Sequence, residues 1–141
     1  MGAPGPGTPP QDAVRAALTG GRARLREQFL AHPNPRRLLR GHTRLIDASL
    51  MTLWRESGIT GEAALVAVGG YARREQFPAS DIDVLVLLRE EPSGDERNRL
   101  ESFVRRLWDA GLEIGHSVRT IEACREEARV DVTVQTTLLE A

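Results

Sequence analysis

Asp81 and Asp83 stand one residue apart at the head of "DIDVLVLL", a run that is otherwise aliphatic from Ile82 to Leu88. Side chains alternate along a strand, so both carboxylates fall on one face, with Ile82 and Val84 on the other. Two acids that close repel each other, and they lose hydration if buried. A divalent cation between them relieves the repulsion. Hard ions such as Mg²⁺ take oxygen ligands and commonly combine one or two carboxylates with substrate phosphates. The pair therefore points to metal-dependent phosphate chemistry, with Asp81 and Asp83 as metal ligands.

The other half of such a site precedes the acids. "VAVGG" runs aliphatic into Gly69-Gly70. Without Cβ atoms, that backbone turns sharply and lets a phosphate approach its N–H groups. Arg73 and Arg74 follow, and a guanidinium there adds charge and paired hydrogen bonds. Ser80 in "FPAS" is placed to cap a turn or to offer its hydroxyl. Taken singly, a Gly-Gly is a turn, a D-x-D is a solvated strand edge and Arg-Arg-Glu is a surface patch. Joined at this spacing between aliphatic strands, they favour a nucleotide-processing site.

The elements that must position these residues follow from periodicity. Residues 1–10 carry too few apolar groups to offset the entropy of ordering, which predicts a disordered tail. Residues 11–31 read as helical, with "TGG" at 19–21 as an interruption, and "HPNP" at 32–35 as a break. Leu38, Leu39, Leu45, Ile46, Leu50, Leu53 and Trp54 recur at three- and four-residue steps, which predicts a long helix from Arg36 to Ser57 that Gly58 stops. A strand is expected at 64–68 and another across "DIDVLVLL". Asn98–Ala110 reads as a helix with Leu100, Phe103, Val104, Leu107 and Trp108 on one stripe, ended by Gly111. "LEIGHSVRT" reads as a third strand. "IEACREEAR" reads as a short helix capped by Thr120. "VDVTVQTTLLEA" begins a last element, and its end has the pattern of a first helical turn. The division expected is a tail at 1–10, a helical segment and linker at 11–35, and one domain at 36–141.

Composition excludes several alternatives. The formal net charge is -1, so no global basic field exists to collect nucleic acid. All 19 basic residues are arginine; a lysine-dependent phosphate loop is therefore excluded, and any phosphate must be held by Arg or by backbone N–H groups. The single cysteine, Cys124, allows no internal disulfide and no thiolate zinc site, and it fits a small buried thiol. No run approaches the ~20 apolar residues of a membrane span, and the start lacks the pattern of a secretion signal. A cytoplasmic protein without membrane association is expected.

The glycine pair, ten residues, then "DID" resembles the signature of the DNA polymerase beta-like nucleotidyltransferase superfamily. The longer string "VGGYARREQFPASDIDVLVLL" is similar to the N-terminal nucleotidyltransferase domain of the bacterial PII uridylyltransferase family. A second block, "LWDAGLEIGHSVRTIEACREEARVDVTVQTTLLEA" at 107–141, agrees with that family's segment after the acidic strand. The resemblance covers roughly residues 36–141. Where the family often has "GYGRGE", this chain has "GYARRE", so Ala72 and Arg74 depart from it. Ala72 is tolerated where the backbone there is helical and strained where it needs φ > 0.

The resemblance implies an α+β fold: a small mixed sheet flanked by helices, with further helices at the N-terminus. It also implies a reaction in which UTP donates UMP to a tyrosine of the PII protein and pyrophosphate leaves. Asp81 and Asp83 would hold Mg²⁺, Gly69 and Gly70 would cradle the triphosphate, and Arg73 would stabilise the departing charge. The superfamily has a third carboxylate, for which Asp131 is the first candidate and Glu113 the second; Asp131 otherwise caps a helix. The family's HD-type hydrolase and ACT sensor domains have no counterpart in these residues. An N-terminal fragment of a longer enzyme is therefore expected, with weak or absent catalysis on its own. Two other readings stay open: an adenylyltransferase of the glutamine synthetase type, and a module that binds nucleotide or a partner without chemistry. His116 reads as a hydrogen-bonded structural group, His32 and His42 receive no role, and Trp54 and Trp108 are expected in the core.

Overall fold

Local signals start and stop each element of this chain. The computed structural model describes residues 9–59, 63–68, 82–130, 136 and 138–140. In order these form α1 (Pro10–Ala31), α2 (Pro35–Glu56), β1 (Ala63–Ala67), β2 (Ile82–Leu88), α3 (Gly94–Asp109), β3 (Ile114–Thr120) and α4 (Ile121–Val130). Asn34 caps α2 by accepting the Arg37 N–H at 3.1 Å, and Pro35 supplies a first residue that needs no donor. Gly58, at φ 69, takes the left-handed position after α2.

Helix α3 starts four residues earlier than periodicity predicts. The signal is a capping box: the Ser93 hydroxyl accepts from the Glu96 N–H at 3.3 Å, and Glu96 is the third residue after the cap. Its end shows why β3 begins at Ile114 and not at Leu112. The Gly111 N–H bonds the Trp108 carbonyl at 2.9 Å and the Leu112 N–H bonds the Leu107 carbonyl at 3.1 Å, with Gly111 at φ 88. Leu112 thus belongs to the helix stop. The Thr120 hydroxyl caps α4 by accepting the Ala123 N–H at 3.0 Å, as expected.

The predicted interruption at 19–21 does not occur: α1 runs unbroken through Gly20 and Gly21. A Cβ on Gly21 would lie 2.7 Å from Leu45 Cδ1. The glycine serves the approach of α1 to α2, and the packing outweighs its poor helix propensity.

The sheet has the order β1-β2-β3. Strands β1 and β2 are antiparallel, from Ala63↔Leu88 to Ala67↔Val84. Strands β2 and β3 are parallel, from Ile82↔Ile114 to Leu88↔Thr120, and α3 lies in the crossover between them. One sheet face, through Ile82, Val84 and Ile114, meets Val14 and Leu18 of α1, Ile46, Leu50 and Leu53 of α2, and Phe103 and Leu107 of α3. The other face, through Val68 and Leu85, meets Cys124 of α4, with Leu138 packed alongside. The fold is α+β, a small mixed sheet between helices.

Trp54 is half-buried and stacks edge-on against Phe103, ring centroids 5.2 Å apart at 79°. Trp108 corrects an expectation: it is 54% exposed. The buried stripe of α3 is Leu100, Phe103 and Leu107, and Trp108 lies about 100° past Leu107 on the helix, at the rim. His116 is also exposed rather than packed among aliphatics. His42, to which the sequence assigns no role, is buried at 2% exposed.

Candidate active site

On β2 the burial pattern isolates one residue. Ile82, Val84, Leu85 and Val86 are buried, and Asp83 between them is exposed. Alternation puts it on the α4 side, in line with Leu85 and Leu87. Leu85, two residues on, is buried against Cys124, whereas Asp83 is exposed and its carboxylate keeps its hydration.

The backbone then gathers neighbours around it. The Val68 N–H donates to the Asp83 carbonyl at 3.1 Å, extending the β1–β2 ladder by one residue to the point where Gly69 follows. On the other side Asp83 is paired with Gly115 of β3. The Ile82 N–H donates to the Glu113 carbonyl at 3.0 Å, which holds Glu113 at the same sheet end. Glu113 is exposed, and alternation about the buried Ile114 assigns it to the Gly115 side. The segment 69–81 therefore leaves from Val68 and returns at Ile82 on adjacent strands of one rim.

The predicted residues divide sharply. Asp83 and the alternative acid Glu113 are brought to one sheet end. Gly69, Gly70, Arg73, Ser80, Asp81 and Asp131 lie outside the described residues. Among the described residues no three His, Cys, Asp or Glu side chains gather into a metal site. Asp83 fits a hard divalent ion by its donor chemistry: an exposed carboxylate, beside a bare glycine backbone. Gly115 is the residue that reading by chemistry alone passes over. Its signal was an isolated glycine inside a strand pattern, which marks a close approach by another group.

The opposite end of the sheet is different in kind. A groove of about 370 Å³ runs between Leu88, Leu100, Val118 and Ala123. An Arg119–Glu127 ion pair joins β3 to α4 there. Among the described residues no helix is long and apolar enough to cross a membrane.

Comparison with known proteins places this geometry. A family model described as a nucleotidyltransferase domain matches residues 50–135. The chain is 49% identical to a bifunctional uridylyltransferase/uridylyl-removing enzyme of Nitrosospira multiformis, over 92% of this chain and 15% of the relative. It is 50% identical to the protein of the same description from Thiobacillus denitrificans, over 91% of this chain and 15% of the relative. For Cupriavidus pinatubonensis the figures are 59%, 70% and 11%. The chain thus spans between 11% and 15% of the length of these curated relatives. No solved structure matches. The match covers the end of α2, β1, the acid-bearing β2, α3, β3 and α4, and the chain belongs to the nucleotidyltransferase domain family.

Proposed function

We propose that this chain is the nucleotidyl-transferring part of a uridylyltransferase, moving UMP from UTP to a tyrosine hydroxyl of the PII protein. The observation that carries the reading is Asp83: the one exposed acid of a buried strand, hydrogen-bonded through its backbone to the residue that leads into Gly69-Gly70. The close similarity to proteins described as uridylyltransferases supports the choice of nucleotide.

The chemistry is an in-line displacement. The tyrosine hydroxyl gives up its proton to solvent, its oxygen forms a bond to the α-phosphorus of UTP, the bond from that phosphorus to the bridging oxygen breaks, and pyrophosphate leaves with its electron pair. Asp81 and Asp83 are the residues to hold Mg²⁺, which when bound supplies a Lewis acid at the phosphate and a counter-charge for the leaving group. Gly69 and Gly70 are the residues whose N–H groups would hold the triphosphate, Arg73 would offset the charge that accumulates on pyrophosphate, and Ser80 would contribute its hydroxyl. Asp131 is the third carboxylate, with Glu113 as the alternative that already sits at this sheet end. The domain proposed for this chemistry is 36–141, in the cytoplasm, with no nucleic acid or membrane partner.

Calorimetric binding of UTP in Mg²⁺ tests the reading, on the chain and on its Asp81→Asn/Asp83→Asn variant. The expected outcome is metal-dependent binding that UTP wins over ATP and CTP and that the variant loses. A preference for ATP would move the assignment to adenylyl transfer. Binding that survives in the variant would remove Asp81 and Asp83 from the site.

A further inference from the structure

Gly115 lies directly beside Asp83 in the parallel β2–β3 pair. A Cβ built on it would stand 2.7 Å from Asp83 Oδ1, and among the described residues the only other atom within 4 Å is Asp83 Cγ at 3.9 Å. Among the described residues, one carboxylate alone occupies the space above Gly115. The backbone does not ask for glycine here, because positive φ is confined to Gly58 and Gly111 among the described glycines. A glycine inside a strand weakens it, so its use at this position calls for a reason, and the carboxylate supplies one.

We propose that Gly115 is a positioning residue: its missing side chain sets the direction of the Asp83 carboxylate and, through it, the affinity of the site for a divalent cation. The second half rests on the reading of Asp83 as a metal ligand. The contact that Gly115→Ala creates falls on the tip of an exposed, rotatable side chain. The accommodation is a turn of the Asp83 side chain and not a shift of β3. The fold is left in place while the ligand moves, and a ligand oriented by its neighbour loses metal affinity when that neighbour changes.

The test uses the 141-residue chain as wild type, Gly115→Ala, Asp83→Asn and the double variant. UTP binding is measured by calorimetry across a Mg²⁺ series, and the Asp83 carboxyl carbon is followed by NMR on aspartate-labelled protein, assigned through Asp83→Asn. Gly115→Ala is expected to keep its Tm within about 2 °C, to move the Asp83 resonance, and to raise the Mg²⁺ needed for half-maximal binding about tenfold. In the Asp83→Asn background it is expected to add nothing to the binding loss. An unmoved Asp83 resonance, or an unchanged Mg²⁺ dependence in a wild type that binds, overturns the proposal. If the wild type binds no UTP, the functional reading and the metal half of this proposal fail together; the resonance then decides the positioning claim alone.

Discussion

Asp83 keeps its carboxylate in solvent between neighbours that are 2% exposed at Ile82 and 2% at Val84. Such a residue contributes little to the fold and is free to serve a ligand. Asp83→Asn is therefore expected to change unfolding free energy by less than about 0.5 kcal/mol in urea titration, while UTP binding is lost. The caps behave the opposite way. Ser93 satisfies the Glu96 N–H, and Ser93→Ala is expected to cost about 1 kcal/mol, with faster hydrogen exchange confined to the first turn of α3. At this scale the acid was legible, because alternation of side chains is written in the sequence. The partner of the acid was not. That Gly115 lies beside Asp83 depends on strand order and register, which join residues far apart in the chain.

Between elements, the closest fit is α1 on α2. Gly21 receives Leu45, and Gly41 receives Leu25, in a reciprocal arrangement where each helix offers a leucine to a glycine of the other. Gly41→Val fills that hole with side-chain atoms and is expected to push the helices apart, at about 1–3 kcal/mol measured by thermal unfolding. The same glycines explain where the sequence misled. "TGG" reads as a helix break because glycine lacks helix propensity, yet the loss per residue is near 1 kcal/mol and close packing of two long helices exceeds it. Most other elements were legible from apolar periodicity, from Gly58 and Gly111 as stops, and from Thr120 as a start. The early start of α3 was legible too, in the S-x-x-E of Ser93 and Glu96, but periodicity alone does not see a polar first turn.

Over the whole molecule, Phe103 is the point where helices and sheet converge, 1% exposed within the cluster that joins α1, α2, α3 and all three strands. Phe103→Ala is expected to cost about 3–5 kcal/mol, with loss of the near-ultraviolet circular dichroism contributed by its edge-on partner Trp54. A tether from Arg106 to the Glu56 carbonyl at 3.2 Å closes α3 on the end of α2 and adds to the same junction. The order of elements was legible in the helix and strand periods, and the architecture as a class in the resemblance that the glycine pair and "DID" carry. Which face each helix covers was not, since that is settled by packing. One consequence concerns the way the chain departs at Val68 and re-enters at Ile82. Those two points are neighbours on the rim, so what ends at Val68 and what begins at Ile82 are in effect two pieces clasped along β1 and β2. A cut in the chain between these two points would leave a seam of backbone ladder and helix contacts to hold the halves, and their reassociation would become a bimolecular equilibrium.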